Sequence, residues 1–236
     1  MSKFKVLELF AGSRSIGKIC EELGYKVFSS DINAFEKIDY VVSILDFDIK
    51  QLPFIPDIVW ASPPCTTYSV LALSHHRNGI WPKSESAVLG DRITEKTNSI
   101  IKELQKLNPD LAYYIENPRG MMRHMPFMKE HPIRRTITYC QYGFNYQKPT
   151  DIWTNNILWK PRKACSAGSK CHPKSNGWEG GLKSVGKGIS RAERNYERSK
   201  LPPELCYEIL TSPIQIIRPQ LKLLNVPMIK TYIKSK

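Results

Sequence analysis

The fold is decided by the stretch Lys5-Val-Leu-Glu-Leu-Phe-Ala-Gly-Ser-Arg-Ser-Ile-Gly17, close to the beginning of the chain. Its first part is a short, β-rich apolar run that ends at Ala11-Gly12. Apolar side chains then recur at helical spacing until Gly24, and glycine commonly ends helices. The stretch therefore predicts a strand, a tight turn and an amphipathic helix. The apolar helix positions are Ile16, Ile19, Cys20 and Leu23.

The alternation of strands and helices continues along the chain. We predict strands at residues 26–30, 40–45, 57–61, 111–115, 135–139 and 151–155, and a helix at 94–107. This pattern predicts a mostly parallel sheet with helices on both faces, a Rossmann-like α/β fold. Residues 160–200 are rich in Gly, Ser, Lys and Arg and are predicted to form a loop. Leu201-Pro-Pro203 then begins a short helix.

Charge is distributed unevenly over the 236 residues, a length that suits one α/β domain. Residues 1–117 carry 13 basic and 15 acidic side chains, whereas residues 118–236 carry 22 basic and 7 acidic side chains. Clustered Lys and Arg are typical of a surface that binds phosphates. The second half is therefore interpreted as a nucleic-acid-facing surface, or else as a solvated basic surface.

The sequence also indicates where the protein resides. It has no run of about 18 apolar residues and no signal-peptide pattern, which predicts a soluble cytoplasmic protein that does not bind membranes. Six scattered cysteines in a chain of this size are interpreted as thiols, with or without metal.

A ligand-binding turn is predicted after the first strand. Gly12 lets the backbone approach a ligand closely, and the N–H groups that begin the next helix point toward it. Asp31, at the end of the second strand, is a residue type that binds ribose hydroxyls at this position. Together these residues indicate a nucleoside-containing cofactor. Asp46-Phe47 is interpreted as an adenine contact, or as an ordinary acidic turn.

A nucleophile and a carboxylate are predicted at the ends of two further strands. Ser62-Pro-Pro-Cys65 places a thiol behind two prolines that fix the backbone, and a thiolate is a strong nucleophile. Glu116-Asn-Pro118 places a carboxylate at the end of a neighbouring strand, where partial burial favours sharing a proton with a ring nitrogen. The two side chains are therefore expected to lie in one site.

The motifs and their order along the chain resemble those of the cytosine-C5 DNA methyltransferase family over residues 4–155 and 201–210. The matching motifs are Phe10-Ala-Gly12 with Gly17, Asp31, Asp46, Ser62-Pro-Pro-Cys65, Asp91-Arg92, Glu116-Asn-Pro118 and Leu201-Pro-Pro-Glu-Leu205. The resemblance implies a Rossmann-like S-adenosylmethionine-dependent methyltransferase fold with a small loop-rich insert. It divides the chain into a catalytic core at 1–158, a basic, candidate DNA-facing insert at 159–200, and a C-terminal helix and tail at 201–236.

The resemblance also implies an activity, that of a DNA (cytosine-5-)-methyltransferase. Cys65 would add to C6 of a flipped cytosine while Glu116 protonates N3, and C5 would then take the methyl group of S-adenosylmethionine. The implied cofactor-binding residues are Phe10, Ala11, Gly12, Ser13, Asp31, Ile32, Asp46, Phe47 and Pro63.

The chain departs from the family where the family carries Gln-x-Arg-x-Arg. Only Gln147 matches, and Lys148, Arg134 or Arg135 are candidates for the missing cation. The predicted substrate-binding residues are Gln147, Lys148 and Arg119.

The departure leaves two alternative functions open. One is the same covalent chemistry on RNA cytosine, on a pyrimidine nucleotide or with a modified cofactor-derived group. The other is a non-catalytic DNA-binding protein on a decayed scaffold, against which the presence of both Cys65 and Glu116 argues. We expect a monomer.

A metal site is the remaining candidate feature. Cys165 and Cys171-His172 lie close together in the insert, and Cys140 precedes them at the end of a predicted strand. Zinc takes such ligands in a tetrahedral site. Because the spacing is not a standard one, the sequence leaves a structural zinc site and four unrelated side chains both open.

Overall fold

The computed structural model describes residues 4–166, 169–172, 188 and 190–217. Its strands are β1 (Lys5–Leu9), β2 (Lys26–Asp31), β3 (Tyr40–Val41), β4 (Ile58–Ala61), β5 (Arg77–Asn78), β6 (Trp81–Pro82), β7 (Ala112–Pro118), β8 (Ile133–Thr138) and β9 (Pro149–Thr154). Its α-helices are α1 (Ser15–Leu23), α2 (Leu73–His76), α3 (Glu85–Leu107), α4 (Arg191–Ser199) and α5 (Pro203–Thr211). Short 3-10 turns, among them Ile44–Asp46, Thr66–Tyr68 and Tyr139–Tyr142, connect several of these elements.

Seven of the strands form one sheet in the order β3-β2-β1-β4-β7-β9-β8. The strands from β3 to β7 are parallel, whereas β9 is antiparallel to both β7 and β8. The predicted mostly parallel sheet is confirmed. The strand order reverses between β1 and β4, and ligands of such sheets bind outside the carboxyl ends of the strands at this point.

Helices cover both faces of the sheet. The side chains of β1 therefore alternate between two hydrophobic clusters, one on each face. Val6 packs in one cluster with apolar residues of α1 and α5. Leu7 and Leu9 pack in the other cluster with apolar residues of α3. This arrangement explains why β1 is apolar on both faces, as expected for a central parallel strand.

Three predicted segments differ in the structure, and α2, β5 and β6 were not predicted from the sequence. Helix α3 begins at Glu85, nine residues before the predicted start, because the Ser84 hydroxyl accepts a hydrogen bond from the Ala87 N–H at 3.2 Å. The strand predicted at 40–45 is limited to Tyr40–Val41 and gives way to a 3-10 turn.

The third difference is α4, which lies within the segment that was predicted to be a loop. Ser190 and Glu193 form a capping box, in which each side chain accepts a hydrogen bond from the other residue's backbone N–H. This Ser-x-x-Glu spacing is a sequence signal for a helix start that the composition of the segment obscured.

The domain boundaries remain predictions. Residues 167–168, 173–187 and 189 of the predicted insert, and residues 218–236 of the predicted tail, lie outside the described residues. Among the helices that are described, none has both the length and the apolar character needed to cross a bilayer.

Candidate active site

The turn after β1 places Gly12 in contact with Asp31, two of the predicted cofactor-binding residues. Phe10 and Gly12 both adopt positive φ angles, 58° and 48°, so the chain reverses sharply at the end of the strand. The Gly12 N–H donates a hydrogen bond to Asp31 Oδ2 at 3.0 Å, and the Ala11 N–H donates to the Ser30 carbonyl at 3.0 Å. Asp31 at the end of β2 therefore fixes the turn.

The buried carboxyl group of Glu8 supports this turn through hydrogen bonds. The sequence analysis did not identify this residue. Its two oxygens accept hydrogen bonds from the N–H groups of Ile16 and Gly17, at 3.0 and 3.1 Å, and from the Ser29 hydroxyl at 2.9 Å. Burial raises the pKa of Glu8 to about 7. A Cβ at Gly17 would lie 2.9 Å from Glu8 Oε2 and from Arg14 Nη2, so a larger residue would displace these side chains. An acidic residue within the apolar run of β1 was the signal for this role.

The other predicted cofactor-binding residues differ in how exposed their side chains are. Ile32 is 67% exposed and Asp46 is exposed, so both side chains are accessible to a ligand. Phe47 is only 3% exposed and packs against Tyr40, with ring centroids 5.4 Å apart. Pro63 is also buried. Ile32 is therefore the more accessible apolar surface for a flat base.

Helix α4 lies against the same turn. The Tyr196 ring contacts Phe35 with a centroid distance of 5.6 Å, and the Leu201 N–H donates to the Ser15 hydroxyl at 3.1 Å. At the carboxyl end of the helix, the Arg198 carbonyl accepts a hydrogen bond from Lys148 at 3.0 Å. Part of the segment predicted as an insert thus borders the candidate site.

Cys65 is held at the end of β4 by a short, rigid connection. It is half-buried and precedes the 3-10 turn Thr66–Tyr68, and its carbonyl accepts hydrogen bonds from the N–H groups of Tyr68 and Ser69. The Asn117 side chain, at the end of β7, donates a hydrogen bond to the Pro63 carbonyl at 2.8 Å. This bond ties the two predicted catalytic motifs to each other.

Glu116 lies beside this connection on β7. The preceding residue, Ile115, is the strand partner of Ala61, so Glu116 is level with the start of the Cys65 connection. Its side chain is 5% exposed and accepts a hydrogen bond from the Tyr139 hydroxyl at 3.0 Å. Burial and the charge of Glu116 raise the pKa of Tyr139 well above its ordinary value, so this phenol stays protonated and donates. Tyr139 was missed by sequence analysis.

Lys148 supplies the positive charge of the site. It is buried, with its ammonium group 4.5 Å from the centroid of the Tyr139 ring. Burial raises the pKa of the Cys65 thiol above its ordinary value, the Lys148 charge lowers it, and the Glu116 charge raises it. A thiol, a carboxylate and an ammonium group therefore interact electrostatically in one site.

The other candidate substrate-binding residues lie elsewhere. The Gln147 amide donates to Cys165 Sγ at 3.0 Å and so faces the predicted metal cluster. Arg119 is exposed, and its backbone N–H bonds to the Pro149 carbonyl. Arg134 is exposed on β8. Of the cations proposed from the sequence, Lys148 is the one whose charge acts on Cys65.

An ion pair anchors the segment that follows Cys65. Asp91 on α3 accepts hydrogen bonds from Arg77, the shortest at 2.6 Å, and from the Tyr68 hydroxyl at 2.7 Å. The Arg77 side chain is fully buried and lies over the Tyr68 ring. The partner of Asp91 is thus Arg77, which the sequence analysis missed, and its neighbour Arg92 is exposed.

Comparison with known proteins identifies the family. No family model matches the chain. A curated relative from Frog virus 3 (isolate Goorha), named probable DNA (cytosine-5)-methyltransferase, is 30% identical over 220 residues, which cover 87% of this chain and 98% of the relative. The chain belongs to the DNA (cytosine-5)-methyltransferase family. The sequence-based recognition of this methyltransferase family is therefore confirmed, and S-adenosylmethionine is the implied methyl donor.

One solved methyltransferase shares the fold of this chain. The Entamoeba histolytica methyltransferase EhMeth superposes with a TM-score of 0.50 at 14% identity, over 70% of this chain and 57% of that longer chain. The S. pombe Dnmt2 methyltransferase matches with a TM-score of 0.44 at 13% identity, over 69% of this chain and 52% of that chain.

In this methyltransferase, Lys148→Gln is expected to shift the ionisation of Cys65 to higher pH. Loss of the nearby positive charge destabilises the thiolate, so the pKa of Cys65 rises further above its ordinary value. The measurement is the alkylation rate of Cys65 by iodoacetamide as a function of pH, followed by peptide mass spectrometry. The exposed Lys106→Gln variant is the control. An unchanged pH profile in Lys148→Gln contradicts the placement of this charge.

Asp91→Asn is expected to lower the free energy of unfolding by about 3 kcal/mol, because it leaves the buried Arg77 cation without its counter-charge. Urea unfolding at neutral pH measures the effect. Glu130→Gln, which breaks the exposed pair with Lys102, is the matched control with an expected loss below about 1 kcal/mol. Equal losses in the two variants contradict the anchoring role of Asp91.

Proposed function

We propose that this protein methylates C5 of cytosine in DNA, with Cys65 as the nucleophile and Glu116 as the proton partner of N3. The observation that carries the proposal is the meeting of the two motifs at neighbouring strand ends, tied by the hydrogen bond from Asn117 to Pro63. The electrostatic influence of Glu116 and Lys148 on Cys65 supports the same geometry.

The chemistry follows from the side chains. The Cys65 thiolate adds to C6 of the cytosine ring, and the proton that Glu116 shares with N3 moves onto the ring as electron density rises at C5. After C5 is methylated, loss of the C5 proton and departure of the Cys65 thiolate restore the aromatic ring, and the N3 proton returns to Glu116. The Tyr139 hydroxyl holds Glu116 in a fixed orientation through its hydrogen bond.

The residues at the ends of β1 and β2 and in the 3-10 turn at Asp46 have the chemistry to bind S-adenosylmethionine. The sharp turn at Gly12 and the carboxylate of Asp31 provide close backbone approach and a partner for ribose hydroxyls. The exposed Ile32 and Asp46 provide an apolar surface and a hydrogen-bond acceptor for an adenine. When bound, S-adenosylmethionine supplies the electrophilic methyl group that C5 takes up.

Lys148 replaces the cation that the arginine motif provides in the family. Its buried ammonium group lies over the Tyr139 ring and donates a hydrogen bond to the Arg198 carbonyl, and its charge lowers the pKa of Cys65. A fixed positive charge at this place stabilises the attacking thiolate and is complementary to negative charge that develops on the cytosine during attack.

Two features favour DNA over a free nucleotide. The basic second half of the sequence suits a polyanion, whereas a nucleotide requires only local positive charge. On the segment after Cys65, Val70 and Leu71 are 69% and 85% exposed. Exposed apolar side chains beside the site are suited to filling the space that a flipped cytosine leaves in the base stack.

A methyl-transfer assay tests the proposal. The protein is incubated with labelled S-adenosylmethionine and with DNA, RNA or dCMP, and the product is digested to identify the labelled base. We expect 5-methylcytosine in DNA and no label with the Cys65→Ala variant. Label in RNA or dCMP alone supports the alternative substrates, and label in none of the three contradicts the proposal.

A further inference from the structure

Four sulfur and nitrogen ligands meet beside the candidate active site. Cys140 Sγ lies 3.2 Å from Cys165 Sγ and 3.6 Å from Cys171 Sγ. His172 Nδ1 lies 3.8 Å from Cys165 Sγ and 3.3 Å from Cys171 Sγ. All four atoms lie within 4.8 Å of one another, although 25 residues separate the first cysteine from the second.

The four distances above, 3.2 to 3.8 Å, are close to the edge lengths of a tetrahedral zinc site. Zinc–sulfur bonds of about 2.3 Å and zinc–nitrogen bonds of about 2.0 Å place tetrahedral ligands roughly 3.5 to 3.8 Å apart. A disulfide requires sulfur atoms about 2.05 Å apart, and the three cysteines are free thiols. Three thiolates with one imidazole form a ligand set that favours zinc over hard cations such as magnesium.

We propose that Cys140, Cys165, Cys171 and His172 bind one structural Zn²⁺. Four protein ligands fill a tetrahedral site and leave no position for a substrate, which distinguishes a structural from a catalytic zinc. Among the described residues, none between Asn156 and Ser190 lies in a helix or strand. A metal joining Cys140 to Cys165, Cys171 and His172 adds a strong cross-link to the hydrogen bonds and ion pairs that hold the described part of this segment.

The site lies next to two side chains of the candidate active site. Cys140 follows Tyr139, the residue that donates to Glu116. Gln147 donates its amide hydrogen to Cys165 Sγ, and the next residue is Lys148. Hydrogen bonds from neighbouring groups to ligand atoms orient metal sites. The zinc thus holds the ends of the segment 139–148 in place and accounts for the direction of Gln147, away from the cytosine site.

Metal analysis of the purified full-length protein tests the proposal independently of methyl transfer. By inductively coupled plasma mass spectrometry we expect about one zinc ion per chain in the wild-type protein. In Cys165→Ser and Cys171→Ser, each of which removes one ligand, we expect below about 0.2 zinc ions per chain. Cys65→Ala and Cys20→Ala are the matched controls and are expected to keep about one zinc. Circular dichroism of each variant establishes that it is folded.

Cobalt substitution of the wild-type protein gives a second readout that requires no variant. Co²⁺ bound by three thiolates and one imidazole in a tetrahedral field is expected to show visible d–d bands and thiolate charge-transfer bands, and added Zn²⁺ is expected to abolish both. Metal-free wild-type protein, a Cys140–Cys165 disulfide in the protein as purified, or full zinc occupancy in folded Cys165→Ser would overturn the proposal.

Discussion

Replacement of Cys65 by alanine is expected to lower the rate of methyl transfer at least about 10³-fold. The thiolate forms the bond to C6 that makes C5 nucleophilic, and no neighbouring sulfur replaces it, because the other described cysteines lie in the core or in the zinc cluster. The measurement is the single-turnover rate of label transfer from S-adenosylmethionine to DNA.

Cys206→Ala is the matched control for this variant. Like Cys65→Ala, it removes one cysteine sulfur, but from a fully buried position on α5. It is expected to affect stability more than the rate of transfer. Retention of more than about a tenth of the wild-type rate in folded Cys65→Ala contradicts the assignment of the nucleophile.

Replacement of Glu116 by glutamine is expected to lower the same rate about 10²- to 10⁴-fold, the range for loss of a positioned proton donor. The amide keeps the shape of the side chain and still accepts a hydrogen bond from Tyr139. It no longer shares an ionisable proton with N3, so C5 does not gain the electron density required for attack on the methyl group.

Two controls define the result for Glu116. Glu204→Gln changes an exposed carboxylate paired with Arg162 and is expected to leave the rate within about twofold. Tyr139→Phe keeps the carboxylate but removes its hydrogen-bond donor, and a smaller loss than in Glu116→Gln is expected. A Glu116→Gln rate close to the wild-type rate rules out the proposed proton transfer.

Much of the fold was predictable because local patterns and global structure agree in the first half of the chain. The strand, turn and helix at residues 5–23 follow from apolar periodicity and the position of Gly24. Cys65 was identifiable because it follows β4 after a short connection, and Glu116 because it lies near the carboxyl end of β7. The carboxyl ends of parallel strands meet at one edge of a sheet.

The residues that support the site were less predictable. Glu8, Arg77 and Tyr139 act through partners distant in sequence, and a single chain without its fold gives little indication of such pairs. The neighbours Gln147 and Lys148 illustrate the same limit. Their side chains point in different directions, one toward Cys165 and the other toward Tyr139. The residue that matches the family motif is therefore not the one whose charge acts on Cys65.

Covalent trapping tests the central claim most directly. A DNA duplex that carries 5-fluorocytosine is incubated with the protein and S-adenosylmethionine, and because fluorine at C5 does not leave as a proton does, the adduct persists through denaturation. The account predicts a denaturation-resistant protein–DNA complex that forms with wild-type protein, is absent with Cys65→Ala, and yields a tryptic peptide cross-linked at Cys65. A complex joined through any other cysteine, or no complex with DNA that the protein methylates, contradicts the account.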